Sequence, residues 1–156
     1  MKRFIYLELL LLLISYSLFA VNSSEKISMQ YRSGPGVSLK IEIYIDEYNN
    51  EGECTFRLTF TSENGPVQIY ESRETFFLKI DGLIHGFKIQ PDHIYYEELT
   101  DNEDIQYVLT FDYMVPLAIV QKASNAEQLR FKLAGENFSV TEYISARNKS
   151  AMKILF

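Results

Sequence analysis

The chain contains no tryptophan, one cysteine, two histidines, four prolines and seven glycines in 156 residues. A lone cysteine excludes an internal disulfide framework, the usual support of a small exported eukaryotic domain. Few prolines and glycines exclude a low-complexity or collagen-like chain. Only 15 Lys and Arg stand against 21 Asp and Glu, for a net charge of −6. That balance argues against nucleic acid and anionic membrane surfaces as partners. Chemistry-bearing motifs are scarce as well. No G-x-S-x-G elbow is present, and Ser33-Gly34-Pro35-Gly36 lacks the lysine and following helix of a phosphate loop.

What is present begins at the N-terminus. Lys2 and Arg3 precede an apolar run, Phe4 to Phe19, that closes at Ala20. A basic start, a short apolar stretch and a small residue describe a secretory signal peptide over residues 1–20. The run is short for a bilayer span, which needs roughly 17–25 residues. Glu8 interrupts it, at a cost on the order of a few kcal/mol at bilayer centre and less near the cytoplasmic end. Cleavage after Ala20 or Ser23 gives an exported protein, periplasmic or extracellular; without cleavage the segment is an N-terminal membrane anchor. Cys54 is too far from the signal for a lipoprotein. Export without disulfides favours a bacterial envelope. Asn22, Asn137 and Asn148 open N-x-S sequons, which matter only in a glycosylating host.

Residues 21–36 are polar and rich in breakers, from Asn22, Ser23 and Ser24 to Gly34, Pro35 and Gly36, and read as a flexible linker. Residues 37–156 then read as a single β-rich domain. Val37, Leu39, Ile41, Ile43 and Ile45 alternate with polar residues, the pattern of a half-buried antiparallel strand. Cys54, Phe56, Leu58 and Phe60 repeat it after a turn at Tyr48 to Gly52. A short strand at Val67 to Tyr70 and another at Thr75 to Ile80 follow. Asp81-Gly82 marks a tight hairpin into Leu83 to Ile89, since both central positions favour positive φ. His93 to Leu99 and Ile105 to Tyr113 form the next hairpin. Pro116, Leu117, Val120 and Ala123 switch to helical spacing. Gln128 to Leu133 is a strand. Thr141 with Glu142 predicts the start of a terminal helix through Ile144, Arg147, Ala151 and Leu155. The sum is an α+β, mostly β fold: an antiparallel β-sandwich-like domain with one short inner helix and a C-terminal helix.

The order of elements from about residue 70 has a pattern of its own. Phe77-Leu78-Lys79-Ile80-Asp81-Gly82 leads to Tyr95-Tyr96-Glu97-Glu98. An aromatic strand, a helix ending Ala123-Ser124-Asn125-Ala126, the strand Leu129 to Leu133 and Phe138-Ser139-Val140-Thr141 follow. This resembles small exported bacterial β-sandwich proteins of unknown function. The resemblance implies the fold and a bacterial origin, and supplies no catalytic residues.

The chemistry-bearing residues are dispersed. His85 and His93 lie near Asp81, Asp92, Glu97 and Glu98, without H-x-H or H-x3-H spacing for a metal. Glu97 to Asp104 is acidic but lacks the glycine-bearing loop of an EF-hand, and reads as a solvated hairpin tip. Cys54 alternates with Phe56 and reads as a small buried hydrophobe. No catalytic, cofactor-binding or metal-binding set is identified. Four aromatics are candidates for surface binding: Tyr44 and Phe77 on the polar sides of their strands, and the neighbours Tyr95 and Tyr96. Three functions fit: a non-catalytic domain binding another envelope or extracellular protein, a small hydrolase using histidine and carboxylate chemistry, and a ligand carrier with a cavity between its sheets.

Overall fold

The computed structural model describes residues 25–45, 52–101 and 104–156. The signal segment lies outside these residues, as does the turn expected at Tyr48 to Gly52 except for Gly52 itself. Nine strands are described: β1 (Ile27–Gly34), β2 (Val37–Tyr44), β3 (Glu53–Ser62), β4 (Glu74–Ile80), β5 (Leu83–Lys88), β6 (Ile94–Asp101), β7 (Asp104–Pro116), β8 (Leu129–Ala134) and β9 (Ser139–Tyr143). Helix α1 (Leu117–Asn125) follows β7, and α2 (Ala146–Met152) follows β9. All strand pairs are antiparallel. One sheet has the order β1-β2-β3-β7-β6 and the other β5-β4-β8-β9. The architecture is the mostly-β, α+β sandwich that the alternation of apolar residues implies.

Register explains why the sheets stack. Ile43, Phe56 and Tyr113 form one rung across β2, β3 and β7; Ile41, Leu58 and Phe111 form the next; Leu39, Phe60 and Leu109 the third. Every one of these side chains is buried. Phe76, Leu78 and Ile80 of β4 face them, paired with Leu133, Phe131 and Leu129 of β8. Rings then meet across the interface. Phe76 lies 5.8 Å from Phe56 and 5.1 Å from Tyr113, and Tyr31 meets Phe131 edge-on at 4.8 Å. Such pairs add about 0.5–1.5 kcal/mol each beyond area burial.

Two local signals act as expected. Asp81 and Gly82 both take positive φ, 46° and 94°, and close the β4–β5 hairpin. Asp81 also holds the entry to β8: its N–H donates to the Gln128 carbonyl at 3.0 Å and its carboxylate accepts from the Gln128 N–H at 2.8 Å. Pro116 stands just before α1, and the Leu117 N–H donates to the Gly52 carbonyl at 2.7 Å.

Three expectations are corrected. The linker assigned to residues 21–36 is not one over its second half, because residues 27–34 are strand β1, paired with β2. Ile27 and Met29 are buried there, and Tyr31 packs on the same core. Residues Val67 to Tyr70 form no strand, although Val67 and Ile69 are buried. The terminal helix does not start at Thr141. Residues Ser139 to Tyr143 pair with β8, and Ser145 is the N-cap, its hydroxyl accepting from the Asn148 N–H at 3.2 Å. Lys149 of α2 then donates to the Ala126 and Glu127 carbonyls beyond the end of α1, at 2.8 and 3.0 Å.

The register shift between Glu74 and Phe76 turns both Thr75 and Phe76 inward. Buried Thr75 and Tyr113 share a hydrogen bond of 2.6 Å between the sheets. Burial raises the Tyr113 phenol far above its ordinary value of 10.0, against a smaller lowering by Thr75. Tyr113→Phe strands the Thr75 hydroxyl and is expected to cost about 1–3 kcal/mol. The Thr75→Val and Tyr113→Phe double variant recovers most of that loss in urea denaturation. Additive losses would show that the pair contributes no coupling.

Candidate functional site

Strand alternation that buries Phe76, Leu78 and Ile80 sends Phe77 and Lys79 to the outer face of the four-stranded sheet. Register carries this across the neighbours. Gly86, Phe77, Lys132 and Thr141 form one rung, and Ile84, Lys79, Arg130 and Tyr143 the next. Phe77, Lys79, Ile84, Arg130, Lys132 and Thr141 line an open groove of about 350 Å³. The Arg130 guanidinium lies 4.1 Å from the Tyr143 ring centroid and donates to its hydroxyl. Lys79, Arg130 and Lys132 form no ion pair with a described residue. Glu74 is the acid at the margin: its carboxylate lies over Gly86, in the space a Cβ there would enter. This face is thus positively charged and partly apolar, on a chain of net charge −6.

The outer face of the five-stranded sheet is built differently. Glu42, Arg57 and Asp112 form one rung across β2, β3 and β7. Lys26 and Lys40 meet Glu42 at 2.9 and 2.7 Å. Arg57 forks onto both Asp112 oxygens, each at 2.8 Å. His93 Nδ1 approaches Asp112 Oδ2 at 2.9 Å. Charge therefore alternates along the row: Lys26 and Lys40 answer Glu42, Arg57 answers Asp112, and the His93 imidazole adds a hydrogen bond to Asp112. Burial pushes the Glu42 carboxyl up, but hydrogen bonds from Lys40 and Lys26 outweigh it and hold the group below its ordinary range. Hydrogen bonding to Asp112 raises Arg57 further above its already high value. Asp112 is only 2% exposed, so removing its partners would leave a buried carboxylate uncompensated.

The four aromatics singled out in the sequence do not converge. Phe77 lies in the basic groove. Tyr44 lies on the opposite outer face, with Lys26 5.8 Å and Arg57 5.7 Å from its ring centroid. Tyr95 and Tyr96 stand on edge strand β6, opposite Thr110 and Leu109, and point to different sides. The histidines also part. His85 pairs with Leu78 in the four-stranded sheet, whereas His93 belongs to the Asp112 row. Among the described residues no three His, Cys, Asp or Glu side chains converge as a metal site. Asn137 of the second sequon uses both ends of its amide: it donates to the Pro66 carbonyl and accepts from the Gln68 N–H, each at 3.1 Å.

Sequence reasoning missed Lys79, Arg130, Lys132 and Asp112. Each falls on the polar side of a strand, and that much is readable from period two. What brings Lys79 beside Arg130, 51 positions further along the chain, is the β4–β8 pairing, which has no local signature.

Cys54 is fully buried, and burial raises its thiol from 9.0 to about 11. Because the folded value exceeds the unfolded one, the associated stability is complete below pH 9.0 and is lost as pH rises toward about 11. Cys54→Ala should flatten this alkaline loss in pH-dependent urea melts, and the native thiol should resist alkylation at neutral pH. Rapid alkylation of the folded protein would contradict its burial. In the charge row, Arg57→Ala strands the buried Asp112 carboxylate, with an expected loss of about 3 kcal/mol. The double variant with Asp112→Ala should cost less than the two single losses combined; strict additivity would deny the coupling.

Comparison with known protein families, curated proteins and solved structures returns no match.

Proposed function

We propose that this chain is an exported, non-catalytic binding domain, and that the outer face of its four-stranded sheet receives an acidic protein from the envelope or the extracellular medium. The observation behind this reading is the groove beside Phe77, where Lys79, Arg130 and Lys132 stand together without carboxylate partners among the described residues. Like charges held together raise the energy of the free protein, and an anionic partner relieves it. Phe77 and Ile84 add apolar surface that water solvates poorly. The N-terminal segment supports export, with Ala20 or Ser23 as the processing site and membrane anchoring as the alternative.

The hydrolase reading has one observation in its favour, the His93–Asp112 contact. Asp112 could orient an imidazole in that way. However, Arg57 already occupies both carboxylate oxygens, and the one thiol is buried in the core. The row works as charge compensation without any substrate. The carrier reading requires space between the sheets, where Phe56, Phe60, Phe76, Phe111, Tyr113 and Phe131 are packed and buried.

Poly-L-glutamate is a suitable probe of the basic face. The wild-type protein should bind it in a salt-sensitive manner, with poly-L-lysine as the control. Lys79→Glu with Lys132→Glu should weaken that binding by roughly tenfold or more, mainly through slower association. Unchanged affinity in the charge-reversed protein would overturn the assignment of this face.

A further inference from the structure

We infer that the acidic partner of this face is edge strand β6 of a second copy of the same chain. The inference rests on the binding reading above and adds the identity of the partner. Among the described residues, β6 is the last strand of its sheet and pairs with β7 alone. Tyr95, Glu97 and Leu99 alternate along one side of the strand, with Tyr95 58% and Leu99 42% exposed. Tyr96 and Glu98 repeat the combination on the other side, with Tyr96 60% exposed. A carboxylate therefore neighbours an exposed aromatic on either side of the strand.

The groove is the complement of this strand. Phe77 and Ile84 supply its apolar surface, and Lys79, Arg130 and Lys132 supply positive charge. Both surfaces combine apolar groups with charge of one sign, and the signs are opposite. β7 holds β6 in the five-stranded sheet, whereas the groove is on the outer face of the other sheet. The contact is therefore between molecules, strand of one against sheet face of the next. Such a contact uses two different patches, so it propagates into chains unless the rotation between copies closes a ring. Charge complementarity sets register and partner choice here, and salt weakens it.

A charge-swap experiment tests this. Sedimentation velocity of the purified full chain at low ionic strength should show concentration-dependent association that high salt reverses. Lys79→Glu/Lys132→Glu makes the face acidic, and Glu97→Lys/Glu98→Lys makes the strand basic. Each variant alone should associate at least about tenfold more weakly than wild type. An equimolar mixture should associate again, because each altered surface then meets an opposite charge. Neutral variants, Lys79→Gln/Lys132→Gln, check the same face if the reversed protein fails to fold. A wild-type protein that remains monomeric at all concentrations, or a mixture that does not recover, overturns self-association. If poly-L-glutamate still binds wild type and not the face variant, the acidic-partner reading survives that failure; if neither binds, both fall.

Discussion

Phe76 sits where the two sheets meet, and its position sets the rest. Its ring contacts Phe56 and Tyr113 of the five-stranded sheet and lies within 6.3 Å of Phe131 and 6.0 Å of Phe87 in its own. The irregularity before it turns Thr75 inward as well, giving that hydroxyl its partner in Tyr113. From Phe76 onward the alternation is strict. Packing the core thereby determines what the outer surface shows: with Phe76, Leu78 and Ile80 inward, Phe77 and Lys79 have only the outer face. A one-residue slip would exchange the two sets and bury a lysine between the sheets. The basic face follows from the hydrophobic one.

Much of this was legible residue by residue, and little of it pair by pair. The strands from Val37 and Glu53 read cleanly because β-branched and aromatic side chains alternate with polar ones. The Asp81-Gly82 turn carries its own stereochemistry, and Pro116 marks the change to helix. Strand β1 hid behind its composition. Only Ile27, Met29 and Tyr31 mark its inner side, and the breakers at Gly34, Pro35 and Gly36 look like a linker until β2 is seen to pair with it. The segment at Ser139 to Tyr143 was ambiguous in another way. Thr141 and Glu142 suit a helix start, yet pairing with β8 overrides local preference, and Ser145 starts the helix instead. Val67 and Ile69 are apolar because they are buried, without any ladder to make them a strand. The site was the least legible part. Phe77 could be placed on an outer face, but the cations that surround it come from a strand far along the chain.

The two outer faces treat charge in opposite ways. Across Glu42, Arg57 and Asp112, unlike charges alternate so closely that each answers its neighbour. Such a row constrains register, because sliding a strand by two residues would misalign unlike charges, and it leaves little attraction for anything outside. Across Lys79, Arg130 and Lys132 the same sheet geometry places like charges side by side. The difference lies in which residues the polar positions carry, not in the backbone. This is why the Asp112 row reads as part of the fold and the Phe77 face as something turned toward a partner.

That asymmetry gives the molecule an electrical front and back. Among the described residues, a compensated row on one outer face and cations without ion pairs on the other make the two faces electrostatically unequal. For the acidic partner proposed above, attraction is concentrated on the four-stranded sheet, so charge favours encounters that present that face. Orientation is then settled during approach, and fewer of the encounters are wasted on the wrong side.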